Sequence, residues 1–243
     1  MSVWVSVKYL GSMKPLALLI PGLDGTGLLY YRQTKPLEER YRVLAWRFQP
    51  RAEFGYPDLV EELACASRDE APGSLVVVGE SFGGTIALHF ALEHSRRIAR
   101  LVLINTFPAY RRRLRIRLGC SLARMLQWRG IRELKNLIVD RTLAAEGVLP
   151  EDRRKYRELI REVYPPAYCR RLQLIRGLDL RKRLKSVTVP TLIFASGRDK
   201  IVPSIEEARF MRSQIPQAEL YEFPNAGHAL LLTPGFVLAE YLK

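Results

Sequence analysis

Short apolar runs recur along the chain, separated by longer stretches in which apolar positions follow a helical spacing. The runs are continuous rather than alternating, which is typical of strands in a parallel sheet covered on both faces. Six strands are predicted in this way, at Leu16–Ile20, Arg42–Trp46, Leu75–Gly79, Leu101–Asn105, Thr191–Ala195 and Glu219–Phe223.

Helices are predicted between these strands, at about 57–70, 82–94, 204–214 and 233–242. The helix at 204 opens with Ser204 and carries Glu207 three residues later, a pair that predicts a capping box. Because strands and helices alternate, the pattern predicts an α/β fold with a mostly parallel sheet flanked by helices.

The alternation stops after the fourth strand and resumes only at Val187. Helical patterns around 112–128, 131–145 and 151–163 fill the gap, followed by a predicted loop near Pro165-Pro166. We interpret this segment as a helical insertion that covers the carboxyl edge of the sheet.

The inserted segment also contains the whole excess of positive over negative residues. The net charge is +14, and residues 110–185 hold 22 Lys and Arg against 8 Asp and Glu, while the remainder holds 17 of each sign. The sequence therefore predicts a core formed by residues 1–108 and 187–243, with residues 109–186 as a basic helical cap.

Gly79-Glu80-Ser81-Phe82-Gly83 has the form G-x-S-x-G. It follows an apolar strand and precedes a helix, which is the context in which a tight strand-to-helix turn exposes a serine hydroxyl at the sheet edge. A glycine-rich turn of no catalytic importance is the plainer alternative. The context favours Ser81 as a candidate nucleophile.

A serine hydroxyl needs a base to take its proton, and the chain has only three histidines. His89 and His94 lie 8 and 13 residues along the helix that Ser81 begins, which places them about 12 and 20 Å away from the turn. His228, in a loop after the last strand, is the remaining candidate base, although a loop histidine can equally be a surface residue.

The base needs a carboxylate that orients it. Asp199 follows the fifth strand at the edge where ligands gather in open α/β sheets. Asp179, inside the predicted cap, is the second choice, and a surface ion pair with Arg198 or Lys200 is the structural alternative for Asp199. The order Ser81, Asp199, His228 is the order of α/β-hydrolases.

The turn Pro21–Gly27 after the first strand holds three glycines, so its backbone can approach a ligand closely. We predict that the amides of Leu23 and Phe82 form an oxyanion hole. Phosphate binding is disfavoured because no Walker lysine or dinucleotide fingerprint is present. Asp24 would either hydrogen-bond within the turn or touch the substrate.

With these residues in place, the chain resembles α/β-hydrolases along nearly its whole length. More narrowly, it resembles the hydrolase half of plant phytyl ester synthases, which make fatty acid phytyl esters and triacylglycerol by acyl transfer in plastids. The resemblance implies an α/β-hydrolase fold with an inserted cap and the catalytic set Ser81, Asp199 and His228. The family's acyltransferase-like region has no counterpart in this sequence, and the cap is the part in which such enzymes diverge, so the substrate stays open. Four segments carry the resemblance, Pro21–Leu28, Gly79–Gly84, Ala195–Ser204 and Gly227–Leu232.

Composition excludes several other classes. A hydrophobic content of 48% with 26% charged residues excludes a disordered chain. Three widely spaced cysteines, Cys65, Cys120 and Cys169, exclude a disulfide scaffold and offer no zinc-ligand cluster, so no metal or cofactor is expected. The thiols and the lack of a long apolar segment near the N-terminus predict a cytoplasmic protein.

The Arg-rich composition of the predicted cap does not determine what the cap contacts. The cap is a solvated exterior, a surface for anionic membranes, or a site for another anionic partner such as an acidic substrate. Nucleic acid is not expected because no binding module is present, and the oligomeric state is not indicated. Cap aromatics are predicted either to line an acyl pocket or simply to pack in the core, namely Trp128, Tyr156, Tyr164 and Tyr168.

The sequence as a whole predicts a carboxylic ester hydrolase that forms an acyl-enzyme and acts on a small-molecule ester. One alternative is an acyltransferase that esterifies long-chain alcohols or diacylglycerol. An alternative of another class is a catalytically silent protein that binds lipid surfaces.

Overall fold

A computed structural model describes residues 14–110, 148–159 and 165–242 of the chain. Six strands form one fully parallel sheet in the order β2-β1-β3-β4-β5-β6. All six predicted strands are present, with ends shifted by up to three residues. Their bounds are β1 Leu16–Ile20, β2 Arg42–Ala45, β3 Leu75–Glu80, β4 Ile98–Ile104, β5 Thr191–Ser196 and β6 Ala218–Phe223.

The continuous apolar runs are explained by two cores, one on each face of the sheet. Leu16, Leu18 and Ile20 of β1 belong to the larger core cluster, whereas Ala17 and Leu19 belong to the smaller one on the opposite face. Since successive side chains of a strand point to opposite faces, a central strand such as β1 must be apolar at every position to contribute to both cores.

Helices cover both faces in the described part of the chain. They are α1 Tyr31–Glu38, α2 Tyr56–Ala66, α3 Phe82–His94, α4 Pro150–Leu159, α5 Pro165–Gly177 and α6 Ser204–Gln214. The predictions for α3 and α6 are confirmed to the residue, and α2 is shorter than expected. The helices predicted around 112–128 and 131–145 lie outside the described residues.

The prediction of a C-terminal helix at 233–242 is wrong. Two 3-10 turns stand in this region, Leu230–Leu232 and Leu238–Tyr241. Between them Gly235 has φ of 79°, a left-handed conformation that an α-helix does not contain. Pro234 beside it cannot donate a helical hydrogen bond, so the helix has no continuous backbone on which to form.

Two further expectations about helix starts are wrong. A loop was expected near Pro165-Pro166, but α5 begins at Pro165, because proline is well tolerated in the first turn of a helix. The capping box is absent, since Ser204 is the first residue of α6 and its hydroxyl donates to the Asp199 carboxylate instead. Helix α1 was not predicted at all, since it is only eight residues long and contains Pro36.

The strand order determines where a ligand can reach the sheet. β1 lies between β2 and β3, so the connections that leave β1 and β3 run to opposite sides of the sheet. A crevice opens at the carboxyl ends of such a pair, and ligands bind there in open α/β sheets. The turn after β1 and the serine after β3 both lie at this point.

Helices α4 and α5 follow β4 in the chain and lie within the segment predicted as a cap. Arg32 of α1 and Asp152 of α4 form an ion pair in which the Asp152 side chain is buried, and the Tyr31 hydroxyl donates to the same carboxylate. Leu172 and Ile175 of α5 belong to the larger core cluster. The division into a core and a cap stays a prediction. No helix in the described ranges is long and apolar enough to cross a membrane.

Gln33 of α1 holds the C-terminal segment through hydrogen bonds to its backbone. Its buried amide donates to the carbonyl oxygens of Leu231 and Phe236 and accepts from the Leu238 amide. Gln33→Ala leaves these buried backbone groups unsatisfied, so we expect unfolding in urea to show a loss of about 2–4 kcal/mol. Gln217→Ala, which removes one exposed amide bonded to the Thr188 carbonyl, is the control and should cost under about 1 kcal/mol. Equal losses would contradict the assigned role of Gln33.

Candidate active site

Ser81 occupies the turn between β3 and α3. Its φ is 53° and its ψ is −118°, a conformation that residues with a side chain rarely adopt. The Ser81 amide donates to the Ile104 carbonyl at 2.9 Å, and the Thr106 hydroxyl donates to the Ser81 carbonyl at 2.6 Å. These bonds to the segment at the end of β4 hold both sides of the turn.

The glycines around Ser81 are required because a side chain at these positions would overlap neighbouring atoms. A Cβ on Gly79 would lie 2.5 Å from the carbonyl oxygen of Gly83. A Cβ on Gly83 would overlap the Ile20 carbonyl oxygen, and one on Gly84 would overlap the Thr106 side chain. Helix α3 therefore begins in direct contact with the end of β1, which brings the two predicted catalytic turns together.

A chain of hydrogen bonds connects the three predicted side chains. His228 Nε2 lies 3.0 Å from Ser81 Oγ, and His228 Nδ1 lies 2.7 Å from Asp199 Oδ2. A carboxylate only accepts, so Nδ1 carries a proton and Nε2 of the neutral ring accepts from the serine hydroxyl. This is the geometry in which an imidazole can take the proton of a serine.

The Asp199 carboxylate is held in its ionised form. Burial alone would raise its pKa, but the charge of His228 and the hydrogen bonds from His228, Ser204 and the Val202 amide lower the pKa below its ordinary value. Asp199 Oδ1 accepts from the amides of Ile201 and Val202 at 2.8 and 2.9 Å, while Oδ2 faces the histidine. One oxygen thus anchors the side chain and the other orients the ring.

Glu80, which sequence reasoning did not single out, places a second carboxyl group beside the histidine. Its Oε1 lies 3.6 Å from His228 Nε2, and a Cβ on Gly22 would overlap its Oε2. Burial raises the pKa of Glu80 to about 7, and the nearby carboxylates of Asp24 and Asp199 add to the effect while His228 opposes it. The available signal was a charged residue at the end of a buried strand.

These carboxylates determine the charge of His228. Burial lowers its pKa, but the charge and hydrogen bond of Asp199 and the charge of Glu80 outweigh burial and raise the pKa to about 9. The ring is therefore a stronger base than a free imidazole but is protonated at pH 7, so the neutral form that can accept the serine proton becomes more abundant as the pH rises toward 9.

The loop that carries His228 is held by Asn105, which sequence reasoning also missed. Asn105 follows β4 with φ of 46°, and its amide donates to the carbonyl of His228 at 2.8 Å and to the Ser196 hydroxyl at 3.0 Å. The side-chain Oδ1 of Asn105 accepts from the Ser196 backbone amide at 2.9 Å. A polar residue directly after an apolar strand was the only signal for this role.

The turn after β1 lies against the serine. A Cβ on Gly22 would be 3.5 Å from the Ser81 Cβ, so Leu23 begins next to the candidate nucleophile. Phe82 is the first residue of α3, where the amide has no partner within the helix. Asp24, whose role was left open, accepts from the amide and hydroxyl of Thr26 and so closes its own turn.

The other candidates from the sequence lie elsewhere. His89 stacks on Tyr56 with ring centroids 4.1 Å apart and bonds to the Thr85 carbonyl, while His94 packs against Phe90. Burial lowers the pKa of His89. Asp179 is exposed and paired with Arg181, so the structure does not bring it to His228.

Tyr156 is the cap aromatic that the structure brings close to the site. It is buried in a small group of residues, which we call the α4 cluster. Burial raises the pKa of its hydroxyl well above the ordinary value, and the charges of Asp24 and Glu80 add to the effect. Tyr168 is half-buried against the larger core, and Trp128 and Tyr164 lie outside the described residues. The α4 cluster contains Val148, Tyr156 and Leu232, with Leu29, Tyr31 and Ala229 partly buried against them.

Comparison with known proteins agrees with this architecture. The model of the family described as alpha/beta hydrolase matches residues 17–240. The chain belongs to the alpha/beta hydrolase family. The fold predicted from the sequence is thereby confirmed, as is the prediction of a hydrolase-class enzyme.

Relatives within the alpha/beta hydrolase family carry several activities in their names. A pimeloyl-[acyl-carrier protein] methyl ester esterase from Vibrio atlanticus is 26% identical and covers 90% of this chain and 89% of its own. A putative carbamate hydrolase from Serratia proteamaculans is 27% identical, and the match covers 93% of this chain and 90% of its own. A thermophilic esterase from Thermogutta terrifontis, 21% identical, superposes with a TM-score of 0.79 over 95% of this chain and 88% of its own. That structural likeness shows the shared fold, and the narrower resemblance to phytyl ester synthases stays a prediction.

The pKa of His228 can be measured without reference to activity. The chain has three histidines, so the imidazole nitrogens can be followed by NMR and His228 assigned from the signal lost in His228→Gln. We expect a titration midpoint of about 9 for His228. Glu80→Gln removes a negative charge that favours the protonated ring, so the midpoint should move to lower pH. Glu39→Gln, on an exposed residue, should leave it unchanged, and an upward shift in Glu80→Gln would contradict the assignment.

Proposed function

We propose that this chain hydrolyses carboxylic esters, with Ser81 as nucleophile, His228 as general base and acid, and Asp199 as the residue that orients His228. One observation carries the proposal, the hydrogen-bond chain from Asp199 through both nitrogens of His228 to Ser81 Oγ. The esterase and hydrolase names of the relatives support the same reaction class.

The reaction proceeds through an acyl-enzyme. His228 Nε2 takes the proton as Ser81 Oγ bonds to the ester carbonyl carbon, and the carbonyl oxygen becomes an oxyanion that accepts from the Leu23 and Phe82 amides. As the tetrahedral intermediate collapses, the ester C–O bond breaks and His228 returns the proton to the alcohol. Water, deprotonated by His228, then attacks the acyl carbon; the bond between this carbon and Ser81 Oγ breaks, and His228 returns the proton to Oγ, which releases the acid and free Ser81.

The substrate is proposed to be a small-molecule ester with an apolar acyl chain. Ala229 of the α4 cluster follows His228 directly, so the cluster lies beside the reacting groups. Apolar side chains from the β1–α1 segment and from α4 meet there, and Tyr156 adds a buried hydroxyl. An acyl chain that extends in this direction from the ester carbonyl bonded to Ser81 Oγ would contact them.

Acyl transfer uses the same chemistry with an alcohol in place of water. The sequence resemblance to phytyl ester synthases raises this second candidate, and the Arg-rich cap would then face an anionic membrane. Adding a long-chain alcohol to the assay and looking for a new ester distinguishes transfer from hydrolysis.

Hydrolysis of p-nitrophenyl esters from acetate to palmitate tests the proposal. We expect turnover at one or more chain lengths, with a loss on the order of 10⁵-fold in Ser81→Ala because the catalytic residues act as a unit. Ser213→Ala, an exposed serine on α6, is the matched control and should keep wild-type activity. Turnover that survives in Ser81→Ala at every chain length would exclude Ser81 as the nucleophile.

Asp199→Asn tests the orienting role separately. The amide keeps the size of the side chain but favours the wrong tautomer of His228, so kcat should fall on the order of 10³–10⁴-fold while KM changes little. Asp69→Asn, at a highly exposed side chain, serves as the control. If Asp199→Asn retained wild-type kcat, the His228 ring would be oriented by some other group.

A further inference from the structure

Arg171 is a buried arginine on α5 whose guanidinium contacts the turn after β1. Only 2% of its surface is exposed. Nε donates to the carbonyl oxygen of Leu23 at 2.9 Å, and Nη2 lies 3.3 Å from the carbonyl oxygen of Asp24. These two hydrogen bonds join segments almost 150 residues apart in the chain.

Helix α5 holds Arg171 firmly in this place. Ala167, Arg171 and Ile175 follow one another at intervals of four residues and are all buried, so they share the face that the helix turns toward the core. Ala167 and Ile175 belong to the larger core cluster. The guanidinium is therefore supported by packed neighbours one turn away on each side.

The hydrogen bonds of Arg171 act on the peptide groups around Leu23. The Leu23 N–H shares a planar peptide with the Gly22 carbonyl, which accepts from the Gly25 amide at 3.2 Å. The next peptide carries the Leu23 carbonyl, which accepts from Arg171. Since both peptides that flank the Leu23 Cα are held, the direction of the Leu23 N–H is determined as well.

The absence of a side chain on Gly25 leaves room for the Arg171 guanidinium against the turn. Gly25 has φ of 73°, and a Cβ there would lie 2.8 Å from Arg171 Nη1. Gly25 thus presents bare backbone to the planar group. The fork of Arg171 reaches two adjacent carbonyl oxygens at once, which a single lysine ammonium cannot reproduce with the same geometry.

The charge of Arg171 persists despite its burial. Burial lowers the pKa of Arg171 to about 10, and the charge of Asp24 opposes the decrease, so the side chain is a cation at neutral pH. A buried positive charge against this turn favours negative charge on the oxygen that the turn would bind.

We propose that Arg171 is a positioning residue that holds the Leu23 amide in the orientation needed to donate to the oxyanion. The proposal rests on the proposed ester hydrolysis and deepens it, because it makes helix α5 part of the oxyanion-binding apparatus. Arg171 acts on the reaction through the turn and does not itself touch the substrate.

The test compares Arg171→Gln and Arg171→Lys with Arg176→Gln, a change at an exposed arginine on the same helix. For each protein we would measure kcat and KM on the best p-nitrophenyl ester, the inhibition constant of an arylboronic acid that forms a tetrahedral adduct on serine, and the melting temperature. Values of kcat are taken per active site, titrated with a fluorophosphonate, so that unfolded protein does not count.

Removal of an oxyanion donor costs about 10²–10³-fold in kcat, and a misdirected donor should cost less. We expect both Arg171 variants to lose roughly 10- to 100-fold in kcat per titrated site with KM within about threefold, and the boronic acid to bind more weakly by a similar factor. Arg176→Gln should match the wild type. If Arg171→Gln does not fold, Arg171→Lys, which keeps the charge, decides the question by the same comparison of kcat with KM.

Wild-type kcat per titrated site in both variants would overturn the proposal, as would a loss that appears only as fewer titrated sites or only in KM. These results differ from failure of the proposed function itself. In that case the wild-type protein would show no turnover that depends on Ser81, whatever residue stands at position 171.

Discussion

The site depends on the backbone of one residue. Ser81 is held with φ of 53°, which costs a residue with a side chain about 1–3 kcal/mol and persists only where the surroundings impose it. Here Ser81 is the single residue between β3 and α3. Gly79, Gly83 and Gly84 allow the close contacts that this tight turn requires. Packing of both faces of β3 into the core offsets this strain. The strained turn places the serine hydroxyl at the sheet edge beside His228.

The second constraint is electrostatic. The carboxyl edge of the sheet collects two acidic side chains around one imidazole, since Asp199 bonds to Nδ1 and Glu80 lies near Nε2. Both favour the protonated ring, which is the form that a base reaches after taking a proton from serine. The buried cation of Arg171 contacts the backbone of the turn whose Leu23 amide is proposed to bind the negative oxygen of the substrate. The same edge thus supplies opposite charges for the two partners of the reaction.

The sequence predicted the fold and the three hydrogen-bonded side chains because their signals are local. Continuous apolar strands, a G-x-S-x-G turn and a supply of only three histidines are all readable without tertiary contacts. Glu80, Asn105 and Arg171 were missed for the opposite reason, since each acts through a partner 90 or more residues away. Arg171 in particular stands in an Arg-rich segment, where charge counting cannot separate a buried guanidinium from exposed ones. The C-terminal helix was wrong for a different reason, because Pro234 and Gly235 are local helix breakers that outweigh the apolar pattern around them.

Covalent labelling of Ser81 tests the central claim most directly. Incubation with an alkyl fluorophosphonate, followed by proteolysis and mass spectrometry, reports which residue attacks an electrophilic centre. The account predicts one phosphonyl group per chain on the peptide containing Ser81, with labelling abolished in Ser81→Ala and strongly slowed in His228→Gln. Labelling at another residue, or none on the folded wild-type protein, would contradict it.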